Sequence, residues 1–429
     1  MQAFLRKEIM PRVFLTCVKS DKFKSGVYTA ELVTALRRGE ASLNAVLPKI
    51  LRRGTVSASD MDAVAERLDM LYGARLEPLV RKIGERQLVG LAAFFADDAF
   101  VPEKSLLERV IALTGEMLVA PATSGGRLRA DYVESERDKL IDEIHSVVNE
   151  RQQYADMQLL AHMCEGEAYA VPVRGTEAEA AKITVFTATK RYRELLSSAE
   201  VELFYCGSAP FERVERASAE ALASLPRASS APLPPTQVLT EPKRGDTRTF
   251  TETLEVAQGK LSIGYRLGDA MLAPNYPALA VMNAVFGGCV TSKLFRNVRE
   301  KLSLCYYASS RIDKHKGVML VSSGIEPANY EKAVAAITGQ LEAVRSGDFT
   351  DQELESAKKA LINAYRSCDD SLYALESWYV DNARLGLNWT PDDMAAFVSL
   401  VTKKDVTDAC RGVKADAIYF LKGGDAVEE

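Results

Sequence analysis

Two polar residues seven positions apart, Arg299 and Tyr306, are the first candidates for chemistry in this chain. In FGGCVTSKLFRNVREKLSLCYYASS, residues 286–310, the arginine falls in the last turn of a stretch that reads as a helix. The tyrosine falls in the strand that follows. A guanidinium offers several donors in fixed geometry and a phenol offers one, so the pair could grip carbonyl oxygens or a carboxylate. Neither group breaks a bond unaided, and residues that would do so are scarce. The three histidines, His145, His162 and His315, include no pair at the i, i+4 spacing that lets one helix face hold a metal. There is no G-x-S-x-G nucleophile elbow, and GGCVTSK (287–293) lacks the spacing of a phosphate-wrapping loop. Acidic pairs such as Glu136/Glu143 and Asp369/Asp370 lie on charge-rich stretches that read as solvated helix faces. The seven cysteines are odd in number and include no C-x-x-C pair, which points to core packing rather than to disulfides or a cysteine zinc site.

The elements that must position the arginine and tyrosine repeat along the chain. In the later half, KLSIGYRLG (260–268) reads as a strand and PNYPALAVMNAVFGG (274–288) as a helix ending in glycine. In the earlier half, KSGVYTAELVTAL (24–36) reads as a strand and ASLNAVLPKILRRGT (41–55) as the helix after it, with Leu43, Val46, Leu47, Ile50 and Leu51 on one apolar face. Long helical runs follow in each half, and ARLEPLVRKIGERQLVGLAAFFA (74–96) contains a hairpin. Between the halves, ASLPRASSAPLPPTQVLTEPKRGDTR (223–248) carries five prolines and cannot be a continuous helix or central strand. Strands mixed with long helices, without βαβ alternation or a dinucleotide fingerprint, predict an α+β fold. It would consist of two homologous halves, 1–224 and 246–429, each an antiparallel sheet packed with long helices, joined by a proline-rich linker at 225–245.

Composition narrows the class. Of 429 residues, 47% are hydrophobic and 26% charged, a mix that suits a globular protein with a sizeable core. A net charge of −5 gives no basic face for nucleic acid. No run of about 18 apolar residues suggests a membrane span. The opening MQAFLRKEIMPRVFLTCVKS is interrupted by charge and proline, so a cytoplasmic location is expected.

The stretch TSKLFRNVREKLSLCYYASS resembles the signature of the insulinase/pitrilysin-type metallopeptidases, the inverzincins, in which a helix S-x-L-F-x-x-V-R-E-K-x-x-L-x-Y leads into a strand. In that family the corresponding Arg and Tyr hold substrate peptide in a closed chamber, so the resemblance implies substrate-binding roles for Arg299 and Tyr306. It also implies the metallopeptidase/processing-peptidase fold with its halves arranged as a clamshell. The earlier half resembles the family's metal-binding half: NAVLPKILRRGT (44–55) falls where members carry H-x-x-E-H, and ESERDKLIDEI (134–144) where a helix supplies the third zinc ligand. Carried over, the two histidine positions are Asn44 and Pro48, the general-base position is Leu47, and only Glu143 keeps a ligand-type side chain. One carboxylate beside an amide, an apolar residue and a proline does not make an open three-ligand zinc site, and leucine deprotonates no water. No catalytic residue, metal or cofactor is therefore expected on this chain alone.

The resemblance extends along the whole length and looks like the zinc-less, YmfF-type members of bacterial pairs, in which a sister chain carries H-x-x-E-H. It implies a substrate-binding subunit of a heterodimeric zinc peptidase, with the zinc on the partner subunit and a peptide as substrate. An isolated chain, with half a chamber exposed, would be expected to form a homodimer. A second class of function stays open at this stage: a non-proteolytic structural or binding protein of the same fold. A neighbouring gene with intact H-x-x-E-H would separate the two.

Overall fold

Alternating and apolar runs in the earlier part of the chain become six main strands and a small hairpin. They are β1 (Phe4–Met10), β2 (Val13–Lys19), β3 (Ser25–Ala35), β4 (Arg75–Ile83), β5 (Arg86–Ala96), the two-residue strands β6 (Thr123–Ser124) and β7 (Arg127–Leu128), and β8 (Glu200–Gly207). Later come β9 (Arg248–Thr253), β10 (Gly259–Arg266), β11 (Cys305–Asp313), β12 (Val318–Ile325) and β13 (Lys414–Lys422). The structure is a computed structural model and describes residues 4–227, 232–256, 258–271 and 275–423. Of the proline-rich stretch, residues 228–231 lie outside the described residues, as does residue 274 at the start of the helix expected from 274 onward; the described part of 225–245 contains no helix or strand.

By contacts the chain divides into two units, and each contains one large sheet. The first sheet runs β1-β2-β8-β3-β5-β4 and the second β9-β13-β10-β12-β11. Set β1 aside and the two orders coincide strand for strand, in the same chain sequence. In both, one pair is parallel (β2 with β8, β9 with β13) and the other neighbours are antiparallel. The duplication expected from sequence is thus present as topology. Each sheet is antiparallel apart from that one parallel pair. The hairpin expected within 74–96 is β4–β5, closed over Gly84 at φ +56°, a turn conformation glycine adopts without strain.

Each unit takes one segment from the other end of the chain. The first comprises residues up to His145, Val171–Pro235 and Cys368–Thr390; the second comprises Ser146–Ala170, Thr236–Ser367 and the residues from Pro391 onward. Two long helices expected from sequence are each broken where the chain changes unit. Ala130–Ser146 stops at a short turn before Arg151–Met163, and Asp351–Ser367 stops at Cys368–Asp370 before Leu372–Ala383. Apolar periodicity runs through both breaks, because each piece buries a face, and so periodicity alone does not show them.

The borrowed helices cover one face of each sheet. In the first unit Leu375, Tyr379 and Val380 pack on Val18, Val27, Val33, Leu88 and Phe204. The opposite face carries the main core, to which Val46, Leu47, Ile50, Val110, Ile111, Leu195 and Val214 contribute from helices of the earlier half. In the second unit Ala155, Leu159 and Met163 pack on Val318, Leu320, Ala417, Tyr419 and Leu421. Gly264 makes this approach close, since a Cβ there would lie 2.4 Å from the Met163 sulfur.

Buried ion pairs fix both borrowed segments. Arg384 reaches Glu200 and Glu202, while Arg81 binds Glu31 (2.8 Å) and Glu376 (2.9 Å); Glu31 and Glu202 are wholly buried. In the second unit Arg266, also wholly buried, donates to Glu167 (2.8 Å) and Asp416 (2.9 Å), and Lys316 lies 2.6 Å from Glu167. Charges this deep are tolerated only when paired.

Candidate functional site

The site begins with a widened helical turn. Leu294 and Val298 are buried and anchor Leu294–Lys301, which closes with the Leu302 N–H donating to the Asn297 carbonyl at 3.0 Å. This five-residue spacing is π-helical, a geometry frequent at functional sites. Leu304 N–H then returns to the Val298 carbonyl (3.2 Å), and Ser303 takes φ +50°, so only three residues connect helix to strand. Arg299 is thereby turned outward at the helix end, with its guanidinium 4.6 Å from the Phe295 ring centre.

Strand β11 begins with a bulge. Cys305 faces Ile325 and Tyr307 faces Gly324, which leaves Tyr306 as the extra residue between them. Bulges re-aim side chains, and here the Tyr306 ring is 64% exposed while Cys305 beside it is buried. Arg299 and Tyr306, expected from sequence to act together, line one hollow of about 630 Å³. Glu300, Ser303, Glu326 and Asn329 line it too, with Leu304 and Cys305. Among the described residues, the side chains of Arg299, Glu300 and Tyr306 make no hydrogen bond or ion pair. The Glu326 carboxylate accepts only a long 3.5 Å contact from the Asn329 side-chain amide. Burial pushes the Cys305 thiol above its ordinary range, with Ser323 and the Arg299 charge opposing; such a thiol is inert.

The hollow lies at a sheet edge. β11 ends the order of its sheet, its sequence CYYASSRID has no proline, and both its faces are engaged by side-chain bonds: Ser310 Oγ to Asn283 Oδ1 (2.7 Å) on one, Arg311 to Asp156 (2.8 Å) on the other. The matching edge of the first sheet, β4, carries Pro78, which removes a donor from its ladder.

The other sequence candidates lie in the first unit, in a different state. Asn44 is wholly buried in the helix Ala41–Leu51. Its amide donates to Gln87 Oε1 (2.8 Å), and its oxygen accepts from Arg191 Nε (2.7 Å). Leu47 is part of the main core. Pro48 sits inside the helix, without the N–H a helical residue would supply. Glu143, half exposed on Ala130–Ser146, is bound by Lys49, one residue beyond Pro48, and by Arg174 at 3.3 Å. The donor set does not fit zinc: an amide already committed on both atoms, two apolar side chains, and one carboxylate neutralised by a lysine and an arginine. Among the described residues no three His, Cys, Asp or Glu side chains group as metal ligands, and His145 instead pairs with Glu177 at 2.8 Å.

Sequence reasoning did not single out Lys49, Arg174, Glu300 or Glu326. Lys49 could have been noticed as a cation directly after the degenerate motif. Glu326 has no local signal, because only the pairing of β11 with β12 brings it to Tyr306.

Comparison with known proteins places this geometry among relatives. The Peptidase M16 inactive domain family matches residues 182–361. A Bacillus subtilis protein named probable inactive metalloprotease YmfF is 31% identical over 411 residues, 95% of each chain. A conserved protein from Enterococcus faecalis V583 superposes with a TM-score of 0.87 at 26% identity, covering 98% of this chain and 99% of that one. A peptidase M16 inactive domain from Pseudomonas fluorescens superposes at 0.79 over 99% of both chains; at 15% identity this shows the shared fold alone.

Proposed function

Because the chain belongs to the M16, insulinase/pitrilysin-type peptidase family, in its zinc-less YmfF-type branch, we propose that it is the substrate-binding subunit of a heterodimeric zinc peptidase, completing the chamber of a sister chain that bears H-x-x-E-H. By itself it is a non-catalytic member. The observation that carries the reading is the contrast between its two inherited positions. The metal half is closed by internal bonds, whereas Arg299 and Tyr306 stand unbonded in a hollow beside a free strand edge.

The chemistry assigned to this chain is holding. A peptide added along β11 would be bound through its backbone, almost regardless of sequence. The Tyr306 hydroxyl donates to a carbonyl oxygen, where negative charge grows as the peptide bond is attacked. Arg299 donates to neighbouring carbonyls or a terminal carboxylate, and its stacking on Phe295 limits the conformational freedom lost on binding. The metal and the attacking water belong to the sister. Seven cysteines, none in a disulfide, suit work in the reducing cytoplasm. Among the described residues no helix is long and apolar enough to cross a membrane.

The test is a peptide-cleavage assay of this chain alone, with its zinc-loaded sister, and with the sister plus the Arg299→Ala, Tyr306→Phe double variant. No cleavage by this chain alone, cleavage by the wild-type pair, and cleavage at least about tenfold lower by the variant pair are the expected result. Equal cleavage by the variant pair, or none by any mixture, would refute the role and leave a binding protein of the same fold.

A further inference from the structure

Arg299 and Tyr306 account for a peptide's backbone, but they leave two carboxylates of the same hollow without a task. Glu300 follows Arg299 on the widened turn. Glu326 follows the last residue of β12, Ile325, which is paired with Cys305 at the start of β11. Glu326 therefore stands across the strand end from the Tyr306 bulge. The buried carboxylates Glu167 and Asp416 of this unit are engaged with Arg266 and Asp156 with Arg311, and Glu252 accepts from Tyr154. Glu300 has no polar side-chain partner among the described residues, and Glu326 has only the long contact from Asn329. A cation is present in the hollow, yet Arg299 pairs with neither of them. With one positive and two negative side chains, the hollow carries a net charge of −1 from these groups.

A space of about 630 Å³ is of the size that takes one or two side chains of a peptide. A strand laid along β11 sends alternate side chains to opposite faces. One that enters the hollow meets Glu326 and Glu300. A carboxylate there would be repelled and an aliphatic chain would leave both anions unpaired, whereas an ammonium or guanidinium on a flexible stem would satisfy them. We propose that the hollow selects peptides carrying a lysine or arginine side chain at the position facing Glu326, with Glu300 as the second carboxylate. This rests on the reading of Arg299 and Tyr306 as a peptide-binding pair.

The experiment uses the full chain and fluorescence anisotropy of labelled extended decapeptides, acetylated and amidated, differing only in a central lysine, norleucine or glutamate. At low salt the lysine peptide is expected to bind about three- to tenfold more tightly than the norleucine peptide, the range one or two partly exposed ion pairs supply. That preference should shrink within about twofold near 0.5 M salt, where charges are screened over a few ångströms. A Glu300→Gln, Glu326→Gln double variant, altering only exposed side chains, should lose the preference without weakening binding of the norleucine peptide. Equal binding of lysine and norleucine peptides, or a lysine preference that survives in the double variant, overturns the selectivity alone. Failure of all three peptides to bind overturns the peptide-holding reading together with it.

Discussion

The two units share a strand order, yet the polar groups that the sequence singles out in each have opposite fates. In the first, Asn44 is bonded to Gln87 and Arg191, and Glu143 to Lys49 and Arg174. In the second, Arg299, Glu300 and Tyr306 are bonded to nothing polar among the described residues. Polar side chains that a protein satisfies internally contribute to its fold, while those it leaves unsatisfied around a hollow are available to a ligand. Lys49, the residue after Pro48, puts an internal cation against Glu143 and makes that carboxylate a structural contact.

If pairing decides, then removing a paired charge should cost stability in either unit. The largest effect is expected for Glu167→Gln, which strips Arg266 and Lys316 of their shared buried carboxylate. A loss of about 3–5 kcal/mol in urea unfolding is expected, and a loss below about 1 would break the comparison. Next comes Asn44→Leu in the first unit, which leaves Arg191 Nε and Gln87 Oε1 without their bonds to Asn44 at a cost of about 1–3 kcal/mol by the same measurement, with no change in peptide binding.

A subtler contrast lies in pH. Burial pushes the Glu31 carboxyl up; Arg81 opposes, the Glu376 and Glu202 charges add to it, and the group ends at about 7 from 4.5. Its contribution to stability is full below about 4.5 and is lost as pH rises through about 7. For Glu167 burial also pushes upward, but the bonds and charges of Arg266 and Lys316 outweigh it and hold the carboxyl at about 2. Its contribution is present above about 4.5 and is lost as pH falls toward 2. Urea midpoints of Glu31→Gln should therefore lack the decline expected of the wild type between about pH 4.5 and 7, and those of Glu167→Gln should lack the expected acid-side decline. The smallest effect on stability belongs to the hollow. Arg299→Ala with Tyr306→Phe should shift unfolding by less than about 0.5 kcal/mol, because no polar bond of the fold depends on either; a larger loss would mean the hollow is structural.

Much of this was legible in the residues. The strand-then-helix beginnings of both halves, the β4–β5 hairpin and the helix-to-strand context of Arg299 and Tyr306 follow from periodicity and turn chemistry. What the sequence did not show was non-local. The breaks at Val147–Asn149 and Cys368–Asp370 lie inside continuous apolar patterns. The buried charges of Glu31, Glu202 and Arg266 read as ordinary polar residues of strands until their partners, far away in the chain, are placed beside them. Glu326 reaches the hollow only through strand pairing. Local pattern specifies elements well, but it says little about which distant segment will lie against them.

The lent segments also set a timetable for synthesis. The first sheet has all its strands once Gly207 has left the ribosome, yet the helix that covers Val18, Val27, Val33, Leu88 and Phe204 ends at Ala383, roughly 180 residues later. At about 5–20 residues per second the wait is on the order of 10–35 s. Throughout it an apolar sheet face awaits its cover, and the carboxylates of Glu200 and Glu202 await Arg384. A nascent chain of this design is a natural client for a ribosome-associated chaperone, and a fragment ending at Pro235 should aggregate where the full chain folds.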